Sequence, residues 1–282
     1  MSGYHHLTGT FTNKDGLDIF YQGWLVKEPR AAVLVVHGLG EHSGRYGHLL
    51  DAMAADGVSF FALDHQGHGK SGGKRGHVDD FADYAADIKQ YIDQVIRREA
   101  DGLPLICLGH SMGGLIAALF ALTHQQDLAA LILSSPAFIP GVKPPAVQAA
   151  AAKIVARFLP RLTQGNKLNA GDLSHDPETV RAYQADPLVH DRVSTGWFVS
   201  FLATADQCLA RAGELTLPLL VIQGTEDRMV SPEGSRLFFD RAGGSQKTIK
   251  LFGGLYHETM NELPRDRAVV LETLAGWIRE RL

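Results

Sequence analysis

The stretch LICLGHSMGGL at residues 105–115 is an apolar run interrupted by a serine with a glycine two positions away on each side. Its centre, GHSMG, fits the pattern G-x-S-x-G, which marks a sharp, strained turn from a strand into a helix. An apolar run precedes the turn and a helical pattern at 112–125 follows it. The glycines let neighbouring backbone pass without a Cβ clash, and the turn lifts the serine hydroxyl out of the sheet. The stretch therefore predicts that Ser111 is a nucleophile.

A serine hydroxyl needs a base to activate it, and the base needs an acid to orient it. In proteins with this strand–turn–helix serine, the acid and then the histidine follow the serine along the chain. The segment VIQGTEDRMVSP places Asp227 in the loop after an apolar strand, with the adjacent Glu226 as the alternative acid. The segment IKLFGGLYHETMNE places His257 after the last strand. Ser111, Asp227 and His257 are thus the predicted catalytic residues.

Two backbone amides are candidate donors to the oxyanion of the tetrahedral intermediate that forms when the serine attacks a carbonyl group. One is the N–H of Met112, directly after the nucleophile. The other is the N–H of Leu39 in the segment HGLGEHSGRY, where flanking glycines allow it to turn inward and His37 is expected to hold the loop. His110 is not expected to be the base, because a tight turn aims the residue before the serine elsewhere. We expect it to pack or hydrogen-bond beneath the turn.

Short apolar runs alternate with helical patterns along most of the chain, which predicts βαβ units and a mainly parallel sheet. The first two strands form a hairpin, so one edge of the sheet should be antiparallel. Runs of this length that end in Gly or Asp are typical of strands buried on both faces. The predicted strands lie at 7–12, 18–26, 31–38, 58–64, 103–109, 128–135, 217–224 and 247–252. The predicted helices lie at 79–100, 112–125, 232–243 and 265–282.

The alternation lapses between about 136 and 205, and we interpret this range as a cap inserted over the carboxyl edge of the sheet in a single domain of residues 1–282. Within it, apolar side chains recur on one helical face and basic ones on the other. The apolar set is Val147, Ala151, Ile154, Val155, Phe158 and Leu162, and the basic set is Lys153, Arg157 and Arg161. The apolar stripe either packs onto the domain below, or lines an acyl pocket or touches a lipid surface, as basic amphipathic helices do. The second interpretation makes Ile154 and Phe158 substrate-binding candidates.

Composition excludes several functional classes. The net charge of −4 gives no reason to expect nucleic-acid binding. Two cysteines make no disulfide framework. The first residues lack the features of a signal peptide, and no apolar run is long enough to span a membrane, so we expect a cytoplasmic protein with at most peripheral membrane contact.

Neither a metal nor a cofactor is expected. GLGEHSG does not match the dinucleotide-binding fingerprint, and HETMN lacks the second histidine of a zinc protease. The histidine pair in HQGH has no accompanying carboxylate or cysteine cluster, so we interpret it as a structural turn.

Taken together, these segments resemble the serine hydrolases of the α/β-hydrolase superfamily and, more narrowly, the monoacylglycerol lipase and lysophospholipase group. The resemblance rests on HGLGEHSGRY, DHQGHGKSGG, GHSMGG, DPLV, EDRMV and YHE, which span residues 37 to 258 in the group's order. GHSMGG occurs in many esterases, whereas the first two segments together are more specific. One position departs from the animal members: Met260 stands where they have a histidine three residues beyond the catalytic one.

The resemblance implies an α/β-hydrolase fold, a mostly parallel sheet flanked by helices with a helical cap, and hydrolysis of one fatty acyl ester from glycerol. It assigns the triad and the two oxyanion donors as above. It also implies that Glu41 and Arg45 lie near the glycerol end of the pocket, with a structural ion pair as the equal alternative. We therefore expect an esterase that takes a small lipid ester and contacts a membrane or micelle transiently through the cap.

Other functions stay open at this point. A lysophospholipase, a general carboxylesterase or a prolyl-type peptidase would keep the triad and change the substrate. A non-catalytic ligand-binding protein on the same fold would need none of the three residues.

Overall fold

The computed structural model describes residues 4–142 and 146–282. Its strands are β1 Tyr4–Thr12, β2 Asp18–Val26, β3 Ala31–Val36, β4 Val58–Leu63, β5 Leu105–His110, β6 Ala130–Ser134, β7 Thr163–Gly165, β8 Arg192–Ser194, β9 Leu219–Gly224 and β10 Lys247–Phe252. Its helices are α1 Gly47–Met53, α2 Phe81–Tyr91, α3 Arg97–Glu99, α4 Met112–His124, α5 Ala146–Phe158, α6 Pro177–Ala185, α7 Thr195–Arg211, α8 Pro232–Arg241 and α9 Pro264–Arg279, with one π-helical turn, Ile92–Ile96, between α2 and α3.

Eight strands form one sheet in the order β1-β2-β4-β3-β5-β6-β9-β10. The β1–β2 and β2–β4 pairs are antiparallel, and every other pair in this sheet is parallel. All residues of β3, β4, β5, β6 and β9 are buried. The predicted mostly parallel sheet with an antiparallel edge is therefore confirmed, and its central strands are covered on both faces, as their unbroken apolar runs indicate.

Helices cover both faces of this sheet. On one face α2, α4, α7 and α8 bury side chains such as Tyr84, Leu115 and Trp197. On the other face α1 and α9 bury Leu49, Leu274 and others. This three-layer packing fixes the strands, so the loops at their carboxyl ends meet on a rigid base, where open α/β sheets bind their ligands.

Several predicted boundaries were wrong by a few residues. The strands predicted from 103 and 217 begin at Leu105 and Leu219, directly after Pro104 and Pro218, because proline has no N–H to donate to the ladder. The helix predicted over 79–100 is divided by the π-helical turn. Helix α1 was not predicted at all, since its seven residues are too few to show a clear period.

The range 136–205 holds α5, α6 and a two-stranded antiparallel sheet of β7 and β8. Residues 143–145 of this predicted insertion lie outside the described residues. Its predicted end at 205 falls inside α7, whose Trp197, Phe201 and Cys208 are buried in the main core. Helix α7 therefore belongs to the helical layer on the sheet, and residues 146–194 precede it. We call residues 146–194 the cap segment.

Candidate active site

Ser111 occupies the turn between β5 and α4 in a strained conformation. Its φ is 56° and its ψ is −121°, a region that residues with a Cβ rarely adopt. Its N–H donates to the carbonyl of Ser134 over 2.9 Å, and its own carbonyl accepts from Ala137 N over 3.0 Å. These bonds to the end of the neighbouring strand hold the turn in place.

The glycines of this turn are required by close backbone contacts. A Cβ added to Gly109 would lie 2.3 Å from the carbonyl oxygen of Gly113. A Cβ added to Gly113 would lie 2.0 Å from the carbonyl oxygen of Val36 on β3. Any other residue at either position would force strand and helix apart, which is the physical content of the G-x-S-x-G pattern.

The structure brings the three predicted catalytic side chains together. His257 Nε2 and Ser111 Oγ are 2.9 Å apart, and His257 Nδ1 and Asp227 Oδ2 are 2.7 Å apart. Asp227 accepts three further bonds, from the amides of Met229 and Val230 and from the side chain of Gln223. The neighbouring Glu226, the alternative acid, is exposed. Asp227 is thus the carboxylate that orients the histidine.

Opposing effects set the protonation of this pair. Burial lowers the pKa of His257, but the charge and hydrogen bond of Asp227, together with the charges of Glu258 and Glu41, outweigh burial and raise that pKa above its ordinary value. Burial raises the pKa of Asp227, but the His257 ring and the bonds to Asp227 outweigh burial and lower it. Asp227 therefore stays ionised and stabilises a protonated imidazole.

Leu39 lies beside the nucleophile between two glycines. A Cβ on Gly38 would lie 3.2 Å from the Cβ of Ser111, so the loop after β3 touches the turn. Gly40 has a φ of 74°, a conformation that glycine adopts readily. His37 holds the loop as predicted, with Nδ1 donating to the Gly38 carbonyl over 2.8 Å and Nε2 accepting from the amide of His65 over 3.0 Å.

Met112 is the first residue of α4, and its amide is one of those that a helix leaves unbonded at its positive end. Within the part of the chain that the structure describes, neither this amide nor that of Leu39 donates to a protein acceptor. Two free donors therefore flank Ser111.

Glu41 and Arg45 form a buried network with Glu258, a residue that no sequence motif singles out. Arg45 donates to Glu41 over 2.5 Å and holds both carboxylate oxygens of Glu258 over 2.8 Å. Glu41 also accepts from the Gly38 amide over 2.6 Å and from the Tyr46 hydroxyl over 2.7 Å. Burial is the largest single effect and opposes ionisation of Glu41. The charge of Arg45, the nearby His110 and His37 and the Tyr46 hydrogen bond together outweigh burial and lower the pKa of Glu41 to about 2. The structure thus joins the two predicted residues as an ion pair.

Ser135 is likewise not predicted from the sequence. Its φ is 44°, its side chain is fully buried, and its hydroxyl donates to the backbone carbonyl of His257 over 2.7 Å. Nothing in spacing or residue type distinguishes it from Ser134, which bonds the ring of His110 over 3.2 Å. The one available signal was its position at the carboxyl end of β6, where the chain enters the site.

The remaining predicted residues lie as follows. His110 is buried beside the ring of His257, and burial foremost lowers its pKa to about 4, so it is neutral beneath the turn. Ile154 and Phe158 on α5 are 65% and 74% exposed, so these two do not pack as core. Met260 is buried. The described residues contain no cluster of histidine, cysteine or carboxylate groups suited to a metal ion.

Comparisons with known proteins agree with this geometry. Residues 27–264 match the family model described as "Serine aminopeptidase, S33". The chain is 37% identical over 277 residues to the monoacylglycerol lipase of Mycolicibacterium smegmatis, covering 97% of each protein. It is 35% identical to human monoglyceride lipase over 272 residues, which are 95% of this chain and 89% of that protein.

A solved structure gives the same result. The crystal structure of Paleococcus ferrophilus monoacylglycerol lipase superposes with a TM-score of 0.84 at 32% identity, covering 99% of this chain and 100% of that one. This protein therefore belongs to the serine aminopeptidase S33 family of α/β-hydrolases, in the group that contains the monoacylglycerol lipases.

Proposed function

We propose that this serine hydrolase cleaves monoacylglycerols to glycerol and a free fatty acid, with Ser111, His257 and Asp227 as its catalytic residues. The observation that supports the reaction most directly is the unbroken hydrogen-bonded chain from the Ser111 hydroxyl through the His257 ring to the Asp227 carboxylate. The substrate class is supported by the two full-length relatives named as monoacylglycerol and monoglyceride lipases.

In the first half of the reaction, Ser111 Oγ attacks the ester carbonyl carbon while His257 Nε2 takes the hydroxyl proton. The carbonyl oxygen becomes an anion that accepts hydrogen bonds from the amides of Leu39 and Met112. Asp227 keeps the proton on His257 Nδ1 and stabilises the imidazolium. The intermediate collapses when the glycerol oxygen leaves with the proton from His257 Nε2, and an acyl-serine remains.

In the second half, His257 removes a proton from water as the water oxygen attacks the acyl-serine. The second oxyanion is bound by the same two amides. Collapse returns the proton to Ser111 Oγ and releases the fatty acid. The two half-reactions balance with water as the co-reactant, so the proposed mechanism uses neither a metal nor a cofactor.

The family description raises an aminopeptidase as the rival function. A free substrate amine would need an unpaired carboxylate near the nucleophile. Asp227 is bonded to His257, and the buried Glu41 and Glu258 near the site are both bound to Arg45. This pairing favours an ester substrate without a free amine. Lysophospholipid and simple ester hydrolysis keep the same chemistry and are separated by the substrate panel below.

Glu41 and Arg45 are expected from the family resemblance to lie near the glycerol group. Their side chains are 3% and 12% exposed, and each bonds more than one protein partner. We infer that they shape the polar end of the site through the loop they hold, because little of their bonding capacity is left for a ligand.

We further propose that the cap segment meets the lipid surface that supplies the substrate. Helix α5 exposes Val147, Ile154 and Phe158, and Leu159 and Leu162 just beyond it are more than half exposed. Lys153 and Arg157 on the same helix are exposed too and can contact anionic headgroups. In the described residues no helix is long and apolar enough to cross a bilayer.

A fluorophosphonate probe followed by a substrate panel tests the proposal. The wild type should be labelled and Ser111→Ala should not, while Glu226→Gln should be labelled like the wild type. Among C12 substrates, the monoacylglycerol should give a higher kcat/KM than the lysophospholipid or the p-nitrophenyl ester. Absence of labelling in the wild type would support the non-catalytic alternative.

A further inference from the structure

The loop that carries Leu39 and the loop that carries His257 are joined by one buried ion network. Arg45 lies at its centre and binds Glu41 on one side and Glu258 on the other. Glu41 in turn accepts the amide proton of Gly38, the residue before Leu39. Glu258 directly follows His257 along the chain. A continuous path of charge-assisted hydrogen bonds therefore runs from the oxyanion loop to the histidine loop.

Hydrogen bonds hold the Glu258 carboxylate in one orientation. Its two oxygens accept two parallel bonds from the Arg45 guanidinium, the arrangement that gives a carboxylate both strength and a single orientation. Its Oε2 also accepts from Asn261 Nδ2 over 2.9 Å, and its amide donates to the Leu173 carbonyl over 2.7 Å. The side chain is 3% exposed, so its charge is poorly screened by water.

We propose that Glu258 is a positioning residue that acts through Arg45 and His257: it fixes the histidine loop against the oxyanion loop and supplies a second negative charge beside the catalytic base. This role rests on the proposed hydrolase function and is assigned to a carboxylate outside the triad.

The charges that face His257 decide the sign of the expected effect. Asp227 is bonded to His257 Nδ1, and the centre of the neutral His110 ring lies 4.9 Å from that of His257. Glu258 and Glu41 belong to the Arg45 network described above. Burial lowers the pKa of His257, whereas Asp227, then Glu258 and Glu41, raise it. The Arg45 guanidinium offsets the two glutamates. Removing the charge of Glu258 should therefore lower the pKa of His257, and removing that of Arg45 should raise it.

The test measures the titration of His257 directly and through catalysis. The ring is followed by ¹⁵N-histidine NMR against pH, with its signals assigned by their loss in His257→Ala, and kcat/KM for a C12 monoacylglycerol is measured over the same range. In Glu258→Gln both midpoints should fall by about 0.5 to 1 pH unit, with a lower plateau kcat and a KM within about twofold of wild type. In Arg45→Gln both midpoints should rise.

Two further variants separate charge from disturbance of the loop. Asn261→Ala removes a bond to Glu258 without changing charge and should leave the midpoint unchanged. Arg45→Lys keeps the charge but loses the paired bonds, so it should lower kcat with little shift. If Arg45→Gln does not fold, Glu41→Gln supplies the second charge change and should lower the midpoint.

An unchanged midpoint in Glu258→Gln, or shifts of the same sign in Glu258→Gln and Arg45→Gln, would overturn the proposal. These outcomes are distinct from failure of the hydrolase function, because the NMR titration reports on His257 even in a protein that turns over no ester.

Discussion

Two serines near the reaction centre, Ser111 and Ser135, have positive φ angles of 56° and 44°. Such conformations cost on the order of 1–3 kcal/mol each and persist where the surroundings impose them. At Ser111 the strain aims the hydroxyl at His257. At Ser135 it aims the hydroxyl at the carbonyl of His257, so the two serines fix the histidine from its ring and from its backbone.

Replacing Ser135 tests this backbone anchor. Both Ser135→Gly and Ser135→Ala lose the bond to His257, and because one such bond is worth about 1 kcal/mol, kcat should fall about fivefold in each. Only glycine relieves the strain, so thermal unfolding should show Ser135→Gly to be more stable than Ser135→Ala. An unchanged kcat in both variants would mean that Ser135 merely fills space.

The pH dependence of catalysis tests the raised pKa of His257. The ring must be neutral to accept the Ser111 proton, so a raised pKa moves the rise of activity to higher pH. We expect kcat/KM measured from pH 5 to 9 to climb to a plateau with a midpoint above the ordinary histidine value of about 6.5. A midpoint well below that value would show that burial outweighs Asp227 at this histidine.

Of the residues in the site, those that follow a recognisable motif can be predicted from the sequence. Ser111, Asp227 and His257 could be predicted because each follows a recognisable strand and the order of the three is characteristic. Ser135 and Glu258 could not, since their roles depend on which loops meet at the sheet edge. Spacing alone leaves Glu226 as an alternative to Asp227, whereas in the structure Asp227 is buried against His257 and Glu226 is exposed.

In helix α5 the residue pattern predicts the helix, but it does not determine in which direction the apolar face points. The period of Val147, Ile154 and Phe158 predicts a helix with one apolar face. Whether such a face points inward or outward depends on the neighbouring elements. In the structure these three side chains face solvent, while Val155 is half-buried.

Ile154→Ser tests whether this exposed face serves lipid substrates. Because Ile154 is 65% exposed, the unfolding free energy should change by less than about 0.5 kcal/mol. If the side chain contacts acyl chain or membrane, kcat/KM for a C12 ester should drop roughly tenfold while that for a C4 ester stays the same.

Val269→Ser is the matched control, because Val269 is also an exposed apolar residue but lies on α9, which packs on the other face of the sheet from α7. It should leave both esters unaffected. Equal losses on C4 and C12 in Ile154→Ser, with a lower melting temperature, would assign the stripe to ordinary packing.

For the protein as a whole, Asp87, a buried carboxylate outside the active site, is expected to make the free energy of unfolding depend on pH. Asp87 on α2 is 1% exposed and accepts one bond, from Asn13 in the turn between β1 and β2. Its second oxygen has no partner within residues 4–142 and 146–282. Burial raises the pKa of Asp87 to about 7.

The sign of the effect follows from linkage. A carboxyl group with a folded-state pKa above its unfolded value of about 3.9 binds more protons when folded, so stability falls as pH rises from about 4 to 7. Asp87→Asn keeps the shape and the acceptor but carries no charge. Its unfolding free energy at pH 8 should exceed that of the wild type by roughly 2–4 kcal/mol, with the difference vanishing below pH 4. Urea unfolding of the wild type and of Asp87→Asn at pH 4 and pH 8 measures these free energies. The same difference between the two proteins at both pH values would contradict the prediction.

Ser111, His257 and Asp227 are proposed to act together in the hydrolysis of monoacylglycerols. The most direct measurement is release of fatty acid from a C12 monoacylglycerol by the wild type, Ser111→Ala and Asp227→Asn, with an aminoacyl p-nitroanilide as the rival substrate. We predict turnover of the monoacylglycerol alone, and a kcat lower by about 10⁴-fold or more in Ser111→Ala with the fold intact. Preferential cleavage of the anilide would contradict the proposed substrate, and undiminished ester hydrolysis in Ser111→Ala would contradict the role of Ser111 as nucleophile.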